Sequence, residues 1–384
     1  MHVFWIALLS GVTLFWIAAA IDLALGLPSI PALSDTQPRA DSSCPKVSIL
    51  FAARNEAEKL PHALDTFLSL DYPVYEVVAV DDRSEDGTGT ILEERARRVA
   101  HLKPTRISSL PRGWLGKPHA LQAAYERSNG DWLVFTDADV HFAQDLLRRA
   151  VALAEEKRWD HLTLLGSAKM FTFGEKIGML FFGMGFIVGL RPWRVSEMSS
   201  STYAGVGAFQ MIRRSAYETI GTHRRLAMEV IDDMKLGKLA KEAGVRSGVA
   251  KAGQAVSVHW HAGVRNMIRG TTKNFFAASG FKWPVTLLQV CGILLMGVFP
   301  ILALPFVHGW ARWLIAISVG VPLFIEGAIA LEFGTSPVYA LTYPLGALLY
   351  AWMLTRSAVV TLWRGGIVWR GTFYPLDELK RGVV

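Results

Sequence analysis

Long apolar runs occupy the two ends of the chain, and short apolar runs alternate with polar segments in the middle. The first, Val3–Leu27, is almost uninterrupted and exceeds the about 20 residues that a helix needs to cross a bilayer. It lacks a basic N-terminal region and is too long for a cleaved signal peptide, so we expect a transmembrane anchor over residues 1–27. Residues 28–46, rich in Pro, Ser and Asp, predict a linker.

The middle of the chain repeats one pattern, in which a short apolar run ends in acidic residues and a helical segment follows. Such runs lie at Val47–Ala53, Tyr75–Val80 and Trp132–Phe135. Short apolar runs bounded by polar residues are typical of buried strands, and repeated strand–helix units predict a parallel sheet with right-handed crossovers. We therefore expect an α/β domain over residues 47–264. No Gly-rich phosphate loop follows the first two strands, which argues against a GxGxxG dinucleotide fold and a P-loop.

Asp137 and Asp139 directly follow the third predicted strand. Ligand sites of open α/β sheets lie beyond the carboxyl ends of the strands. Two carboxylates one residue apart are costly unless a cation lies between them, so a divalent metal that carries a phosphorylated substrate is a candidate. Taken alone, the pair is more simply explained as caps of a helix predicted to start at Ala143. The other acidic strand ends reverse that preference.

Other charged residues stand at predicted helix starts. Lys117 lies in a Gly-rich turn before a helix, where an anion can be held, although a solvated lysine fits the same sequence. Asp232 and Asp233 precede a helix predicted over Met234–Glu242, and carboxylates there are favoured by the helix dipole. Because two adjacent acids cannot both cap one helix, the second favours a functional role.

Apolar segments return near the end of the chain, at about 285–307, 313–331 and 337–362. Each is long enough to span, so we expect transmembrane helices over residues 284–362. The basic residues 363–384 predict a cytosolic tail by the positive-inside rule. Three crossings from a cytosolic domain would leave this tail on the other side, so either one segment is re-entrant or the spans are miscounted.

Two further segments before these spans have sequences that suit contact with a membrane or with a lipid. Arg265, Arg269 and Lys273 stand four residues apart, so they share one face of a helix, and we predict an amphipathic interfacial helix over residues 265–283. The glycine-rich run Lys176–Leu190 is short for a span. It suits a buried helix, a hairpin into the membrane, or part of an acceptor path.

Composition agrees with a membrane protein that handles anions. Hydrophobic residues make up 51% of the 384 residues, and the mean hydropathy of +0.29 is high for a soluble enzyme. The net charge of +7 fits anionic lipid headgroups or a diphosphate. No dense Lys/Arg block with interleaved aromatics occurs, so no nucleic acid partner is expected. Cys44 and Cys291 give neither a metal-finger spacing nor a disulfide framework, so we expect the catalytic part in the cytosol.

Five motifs, in this order, resemble those of the family 2 glycosyltransferases with the GT-A fold. They are ARNEAE (Ala53–Glu58), VDDRSEDGT (Val80–Thr88), GWLGKPHAL (Gly113–Leu121), FTDADV (Phe135–Val140) and IDDMKLG (Ile231–Gly237). The resemblance covers roughly Val47–Phe281 and is greatest for membrane-bound, lipid-directed members, such as ceramide glucosyltransferases and hopanoid-associated glycosyltransferases. It implies a Rossmann-like, mostly parallel sheet in a cytosolic domain at a bacterial-type inner membrane.

The resemblance also implies how the donor is held. Glu56 and Asp82 line the nucleotide pocket, with Asp82 contacting the base, and Lys117 lies beside the nucleotide-sugar. Asp137 faces the ribose or the metal. Asp139 coordinates Mg²⁺ or Mn²⁺ on the diphosphate.

The chemistry implied by the resemblance centres on Asp233. It matches the family's general base, and Asp232 replaces the glutamate that usually precedes that base. A carboxylate base removes the proton of the acceptor hydroxyl, and direct attack on the anomeric carbon then inverts its configuration. No enzyme-bound glycosyl intermediate is needed.

One motif departs from the family pattern. Members carry Gln/Arg-x-x-Arg-Trp on the interfacial helix, whereas residues 265–270 read RNMIRG, so Arg269 would take over the diphosphate contact. Polymer synthesis loses support because the motif's tryptophan commonly holds the acceptor. His259 and His261 fit an extra metal ligand less well than ordinary surface or buried histidines.

The sequence thus predicts a membrane-bound, inverting glycosyltransferase. It would move one sugar from a nucleotide-sugar, UDP-linked by preference, to a lipid acceptor. A processive polysaccharide synthase is the alternative within the same class. A non-catalytic GT-A-like protein that binds lipid or scaffolds a partner is the alternative from another class.

Overall fold

The structure, a computed structural model, describes residues 2–41 and 44–384. Met1 of the predicted anchor and Ser42 and Ser43 of the predicted linker lie outside these residues. The described chain divides into two compact units. The sheet unit comprises Ile30–Lys169, Pro192–His259 and Val368–Val384; the helical unit comprises Met170–Arg191, Trp260–Ile367 and the chain up to Ser29.

An eight-stranded sheet forms the centre of the sheet unit. Its strands are β1 (Val47–Ala53), β2 (Tyr75–Asp82), β3 (Leu102–Ile107), β4 (Trp132–Asp137), β5 (Val140–Phe142), β6 (His161–Ala168), β7 (Gln210–Arg213) and β8 (Ser247–Val258). They lie in the order β3-β2-β1-β4-β7-β6-β8-β5. The strands β3, β2, β1 and β4 pair in parallel, whereas β7 is antiparallel to β4 and β6. The predicted α/β fold with a mostly parallel sheet is confirmed.

Helices surround this sheet and make up the other unit. They are α1 (His2–Gly26), α2 (Leu60–Leu68), α3 (Thr88–Ala96), α4 (Gly116–Glu126), α5 (Leu146–Glu156), α6 (Phe173–Leu190), α7 (Arg214–Thr219), α8 (Asp232–Glu242), α9 (Val264–Thr271), α10 (Asn274–Ala278), α11 (Trp283–Gly297), α12 (Phe299–Leu302), α13 (Arg312–Glu332), α14 (Tyr343–Arg364) and α15 (Leu376–Arg381). A two-stranded sheet of β9 (Gly366–Trp369) and β10 (Thr372–Pro375) lies between α14 and α15.

The apolar sequence of β1 follows from burial on both faces. Ile49 and Phe51 pack into one hydrophobic core, and Leu50 packs into the other. Successive side chains of a strand point to opposite faces, so a central strand with a core on each side has no polar face. The continuous apolar run that predicted a buried strand therefore reflects the true environment of β1.

The helical unit contains the long apolar helices. By length and hydropathy, α1, α6, α13 and α14 could each cross a membrane, whereas α11 and the segment Phe299–Phe306 meet at a bend of 52°. The apolar segment predicted at about 285–307 is therefore bent in the structure, as a broken span or a re-entrant loop would be. Within this unit the hydroxyls of Thr13 and Ser318 lie 2.9 Å apart, a polar contact of the kind that joins helices in lipid.

The single interfacial helix predicted over residues 265–283 is wrong, because the structure has two short helices there, α9 and α10. The hydroxyl of Thr271 donates to the Met267 carbonyl at 2.7 Å, and that of Thr272 donates to the Ile268 carbonyl at 2.6 Å. Such side-chain bonds compete with the backbone ladder of a helix. They lie where α9 ends.

Candidate active site

The acidic strand ends meet at one edge of the sheet. Asp82 is the last residue of β2 and Asp137 the last of β4, and β1 lies between these two strands in parallel register. Glu56 follows three residues after β1. Because the carboxyl ends of parallel strands face the same side, the sheet brings these acids to the edge where α/β proteins bind ligands.

Lys117 is the centre of an acidic cluster at this edge. Its Nζ lies 2.7 Å from Asp137 Oδ1 and 3.9 Å from Asp232 Oδ2. Burial works against the charge of Lys117, but the carboxylates of Asp137, Asp232 and Asp233 outweigh it and hold the lysine pKa well above its usual value. In this structure Lys117 faces protein carboxylates, and the ligand anion that the sequence predicts beside it stays a prediction.

Asp233 is fixed by two backbone donors. Its Oδ2 accepts from the Gly207 amide at 2.8 Å, and its Oδ1 accepts from the Met234 amide at 2.8 Å. The loop that carries Gly207 can lie this close because a Cβ on Gly205 would overlap the Asp233 carbonyl oxygen. The small residues of this loop thus hold the carboxylate in one orientation.

The residues at the start of α8 do not act as side-chain caps. Ile231 occupies the N-cap position, and both Asp232 and Asp233 lie in the first helical turn. Asp232 is buried, with 4% of its surface exposed. Both acids gain from the helix dipole there, and both lie on the side of Lys117.

Asp137 and Asp139 do not cap a helix. A short strand, β5, follows Asp139, and α5 begins only at Leu146, so the helix start predicted at Ala143 is wrong. Asp139 Oδ2 lies 3.1 Å from Lys59 Nζ. Across residues 2–41 and 44–384, no three His, Cys, Asp or Glu side chains form a group that could hold a metal ion alone.

Asp82 and Glu56 are each paired with an arginine. Arg83 donates through Nε and Nη2 to the two carboxylate oxygens of Asp82, at 2.7 and 3.0 Å. These bonds raise the pKa of Arg83 above its usual value. Arg370 donates to Glu56 Oε1. A Cβ on Gly116 would crowd the Asp82 carboxylate, so the first turn of α4 packs directly on it.

A buried histidine lies behind the lysine cluster. His223 is 1% exposed, its Nδ1 lies 2.6 Å from the Tyr217 hydroxyl, and its Nε2 lies 3.9 Å from Asp232 Oδ2. Burial, with the positive charge of Lys117 acting in the same direction, lowers the pKa of His223 to about 3. A neutral imidazole therefore lines the small cavity that Lys117 and Gly207 also border.

The structure brings most of the predicted site residues together. Glu56, Asp82, Lys117, Asp137, Asp139, Asp232 and Asp233 all belong to the sheet unit. Arg269 belongs to the helical unit, exposed in the last turn of α9, and its diphosphate contact stays a prediction. The roles assigned to the other seven residues also stay predictions.

Sequence analysis did not single out Arg83, His223, Arg370 or Gly207. Arg83 stands inside a quoted motif, so a search for a cation next to each acid would have found it. His223 and Arg370 have no local signal, because their partners are distant in sequence. The glycine- and alanine-rich run around Gly207 was visible, but its use as a donor to Asp233 was not.

Comparison with known proteins agrees with this fold. The family described as Glycosyl transferase family 2 matches residues 48–221. The chain is 33% identical over 147 residues to a beta-monoglucosyldiacylglycerol synthase of Synechocystis sp., which covers 35% of this chain and 30% of that protein. It is 23% identical over 255 residues to a 4,4'-diaponeurosporenoate glycosyltransferase of Staphylococcus haemolyticus, which covers 66% of this chain and 67% of that protein.

A solved structure extends the agreement to nearly the whole chain. A mannosyltransferase from Pyrobaculum calidifontis, in complex with GDP-Man and Mn²⁺, aligns with a TM-score of 0.54 and 22% identity, over 94% of this chain and 99% of that one. This likeness supports the fold. The matched residues 48–221 hold the acidic ends of β1, β2 and β4, so this part of the chain is similar to a glycosyltransferase family 2 domain, and the sheet has the GT-A fold.

Proposed function

We propose that this protein transfers a single sugar from a nucleotide-sugar, UDP-linked by preference, to a lipid acceptor, with inversion at the anomeric carbon. The observation that carries the proposal is the Asp233 carboxylate, held by the Gly207 amide at 2.8 Å beside Lys117 and Asp137. Proteins place a general base in this way when one carboxylate orientation must be kept.

The proposed step is a direct displacement. Asp233 takes the proton of the acceptor hydroxyl as its oxygen bonds to the anomeric carbon. The bond between that carbon and the diphosphate oxygen breaks, and the nucleoside diphosphate leaves with the electron pair. Lys117 places a positive charge beside the developing negative charge, and such fixed charges stabilise a transition state most where water is excluded.

A divalent cation fits the acids at the end of β4. Asp137 and Asp139 each have one carboxylate oxygen on a lysine, which leaves the other oxygen of each for a metal. Mg²⁺ and Mn²⁺ prefer oxygen ligands, and Mg²⁺ sites are commonly completed by substrate phosphates and water. When bound, Mg²⁺ or Mn²⁺ would neutralise the leaving diphosphate. Glu56 and Asp82 would line the nucleotide side.

A lipid acceptor is supported by the apolar helices and by the relatives. In the part of the chain that the structure describes, four helices are long and apolar enough to cross a membrane. One relative is named as a beta-monoglucosyldiacylglycerol synthase and another as a 4,4'-diaponeurosporenoate glycosyltransferase. Both names describe sugar transfer to hydrophobic molecules.

Connectivity supports a specific membrane topology. Residues 30–169, 192–259 and 368–384 form one unit, so a chain that leaves this unit must return to the same side of a bilayer. Only α6 links the first two pieces, so it would enter the membrane without crossing. Between the last two, α13 and α14 would cross and return, and the bent pair that starts with α11 would be re-entrant. The predicted cytosolic tail and cytosolic domain then agree.

The test is an assay with the full-length protein. Purified protein would be incubated with membrane lipids and a panel of nucleotide-sugars, and the extracted lipids would be analysed by mass spectrometry. We expect one lipid class to gain the mass of one sugar, and an Asp233→Asn variant to leave it unmodified. Products with several sugars would support a processive synthase. If nucleotide-sugar binds but no lipid is modified, the lipid proposal is overturned.

A further inference from the structure

The last residues of the chain fold onto the donor side of the sheet unit. Val368–Val384 belongs to that unit, and it contains β10, α15 and the end of β9. Tyr374, Leu376 and Leu379 are buried, with at most 8% of their surface exposed. A segment that the sequence marks as a basic tail is therefore packed like an integral part of the fold.

The hairpin turn carries an arginine in an unfavourable backbone conformation. Arg370 and Gly371, the two residues between β9 and β10, have φ of +49° and +80°, as in the two-residue hairpin turns that favour Asn-Gly. Arginine is strained there, and residues held in this region cluster at functional sites. From this position Arg370 donates to Glu56 and to the Arg54 carbonyl, the latter at 2.8 Å.

Tyr374 touches the other part of the donor side. Its hydroxyl accepts from the Gly116 amide at 3.3 Å, and a Cβ on Gly116 would crowd both the Asp82 carboxylate and the Arg83 guanidinium. Arg83 in turn holds both oxygens of Asp82. A carboxylate oxygen can accept a second hydrogen bond, so Asp82 can still accept from a base N–H. Arg83 fixes the plane of the Asp82 carboxylate and thereby the direction from which a second hydrogen bond can be accepted.

The far end of the segment is fastened beside α8. The Val384 amide donates to Glu229 Oε2 at 3.0 Å, and Lys235 donates to the Val384 carbonyl. A Cβ on Gly382 would overlap Met228. The segment is thus held at both ends, which keeps the hairpin against the loops after β1 and β2.

We propose that residues 368–381 form one wall of the nucleotide pocket, with Tyr374 and Arg370 as positioning residues that set affinity and selectivity for the nucleobase. The proposal rests on the proposed function, because it takes Glu56 and Asp82 as donor-binding residues. Tyr374 holds Gly116, and Gly116 packs directly on Asp82 and Arg83, so Tyr374 orients Asp82 through this contact. Arg370 orients Glu56 directly.

Nucleotide binding to the full-length protein tests the proposal. Affinities for UDP and GDP would be measured by calorimetry in detergent, alongside KM and kcat for the donor. For Tyr374→Phe, which keeps the ring, we expect UDP affinity to fall by about 3- to 10-fold, the effect of one hydrogen bond. KM should rise with little change in kcat, and the preference between UDP and GDP should narrow. Tyr125→Phe, which removes a hydroxyl that donates to Glu218 near the other end of α4 and outside residues 368–381, is the matched control.

A second variant separates positioning from folding. Asparagine tolerates the backbone conformation of residue 370 better than arginine does, so Arg370→Asn should unfold at the same or a higher temperature while its UDP affinity falls. A purely structural role predicts that stability and affinity fall together. If wild type binds UDP and both variants bind it equally well, this inference alone is overturned. If wild type binds no nucleotide, the proposed function fails with it.

Discussion

Asp82 and Asp137 both end a parallel strand of the same sheet, yet they are neutralised in different ways. Arg83 donates hydrogen bonds to both oxygens of Asp82, whose side chain is 6% exposed. Lys117 contacts one oxygen of Asp137, whose side chain is 41% exposed. A planar guanidinium fixes a carboxylate, whereas an ammonium is a compact charge on a flexible stem. The Asp82 carboxylate is therefore held in one orientation, whereas the Asp137 carboxylate can change its partner more easily.

The chemistry is expected to depend on the acids beside Lys117. We expect Asp233→Asn to lower kcat by about 10²- to 10⁴-fold, the usual contribution of a general base. UDP affinity should stay within twofold, because Asn can still accept from the Gly207 amide. Single-turnover rates and calorimetry measure the two quantities. Glu242→Gln, at the exposed end of α8, is the matched control, and a near-normal rate for Asp233→Asn would contradict the assignment.

Removing the lysine should cost stability as well as activity. In Lys117→Met, Asp137 and Asp232 lose their compensating cation, and we expect a loss of about 1–3 kcal/mol in the free energy of unfolding. Adding Asp137→Asn removes one of these carboxylates. Because Asp137 is partly exposed, the double variant should recover only part of the lost free energy of unfolding. Thermal unfolding of the four proteins forms a double-mutant cycle. Additive losses would mean that the two residues are not coupled.

Metal binding is expected to distinguish the two strand ends as well. Asp139→Asn should weaken Mn²⁺ binding in the presence of UDP by at least about 10-fold. Loss of a residue that only supports a metal's direct ligands already lowers metal affinity by about this factor. UDP binding without metal should be unchanged. Electron paramagnetic resonance of free Mn²⁺ reports the affinity without any turnover. Asp145→Asn, an acid outside the strand-end group, serves as the control.

A pH dependence of stability is expected from His223. Its pKa in the folded protein is about 3, below the ordinary value, so the unfolded chain binds the proton first. The contribution of His223 to the free energy of unfolding is fully present above about pH 6.5. It declines by at most about 1.4 kcal/mol per pH unit as the pH falls towards 3. Thermal unfolding between pH 7 and 4 should show a shallower decline for His223→Gln. If wild type and His223→Gln lose stability equally as the pH falls, the pH dependence does not come from His223.

Local patterns predicted the parts of the fold that local physics determines. The bounds of β1 match the predicted Val47–Ala53, because a strand buried on both faces must be apolar throughout. Strands such as β3 and β7 were missed, since β3 has exposed and proline-containing sequence and β7 is only four residues long. The acids were predictable because they follow strands that a sheet must align.

The distant residues that contact this edge of the sheet were not predictable from local patterns. Arg370 is 314 residues from Glu56, and Tyr374 is 258 residues from Gly116. Such pairings depend on where a distant segment returns, which periodicity and composition do not encode. The break between α9 and α10 was missed for a different reason. Charge spacing predicted one continuous face, whereas two threonine hydroxyls favour a stop.

The order of the pieces along the chain has a consequence for biosynthesis. The sheet unit is assembled from three stretches, and the last one, Val368–Val384, follows α14. A ribosome therefore delivers Arg370 and Tyr374 only after every long apolar helix has been made. Until then Glu56 lacks its arginine and Gly116 lacks its tyrosine. A nascent chain halted before α14 is complete carries Glu56, Asp82 and Gly116 without the hairpin residues that contact this part of the sheet unit.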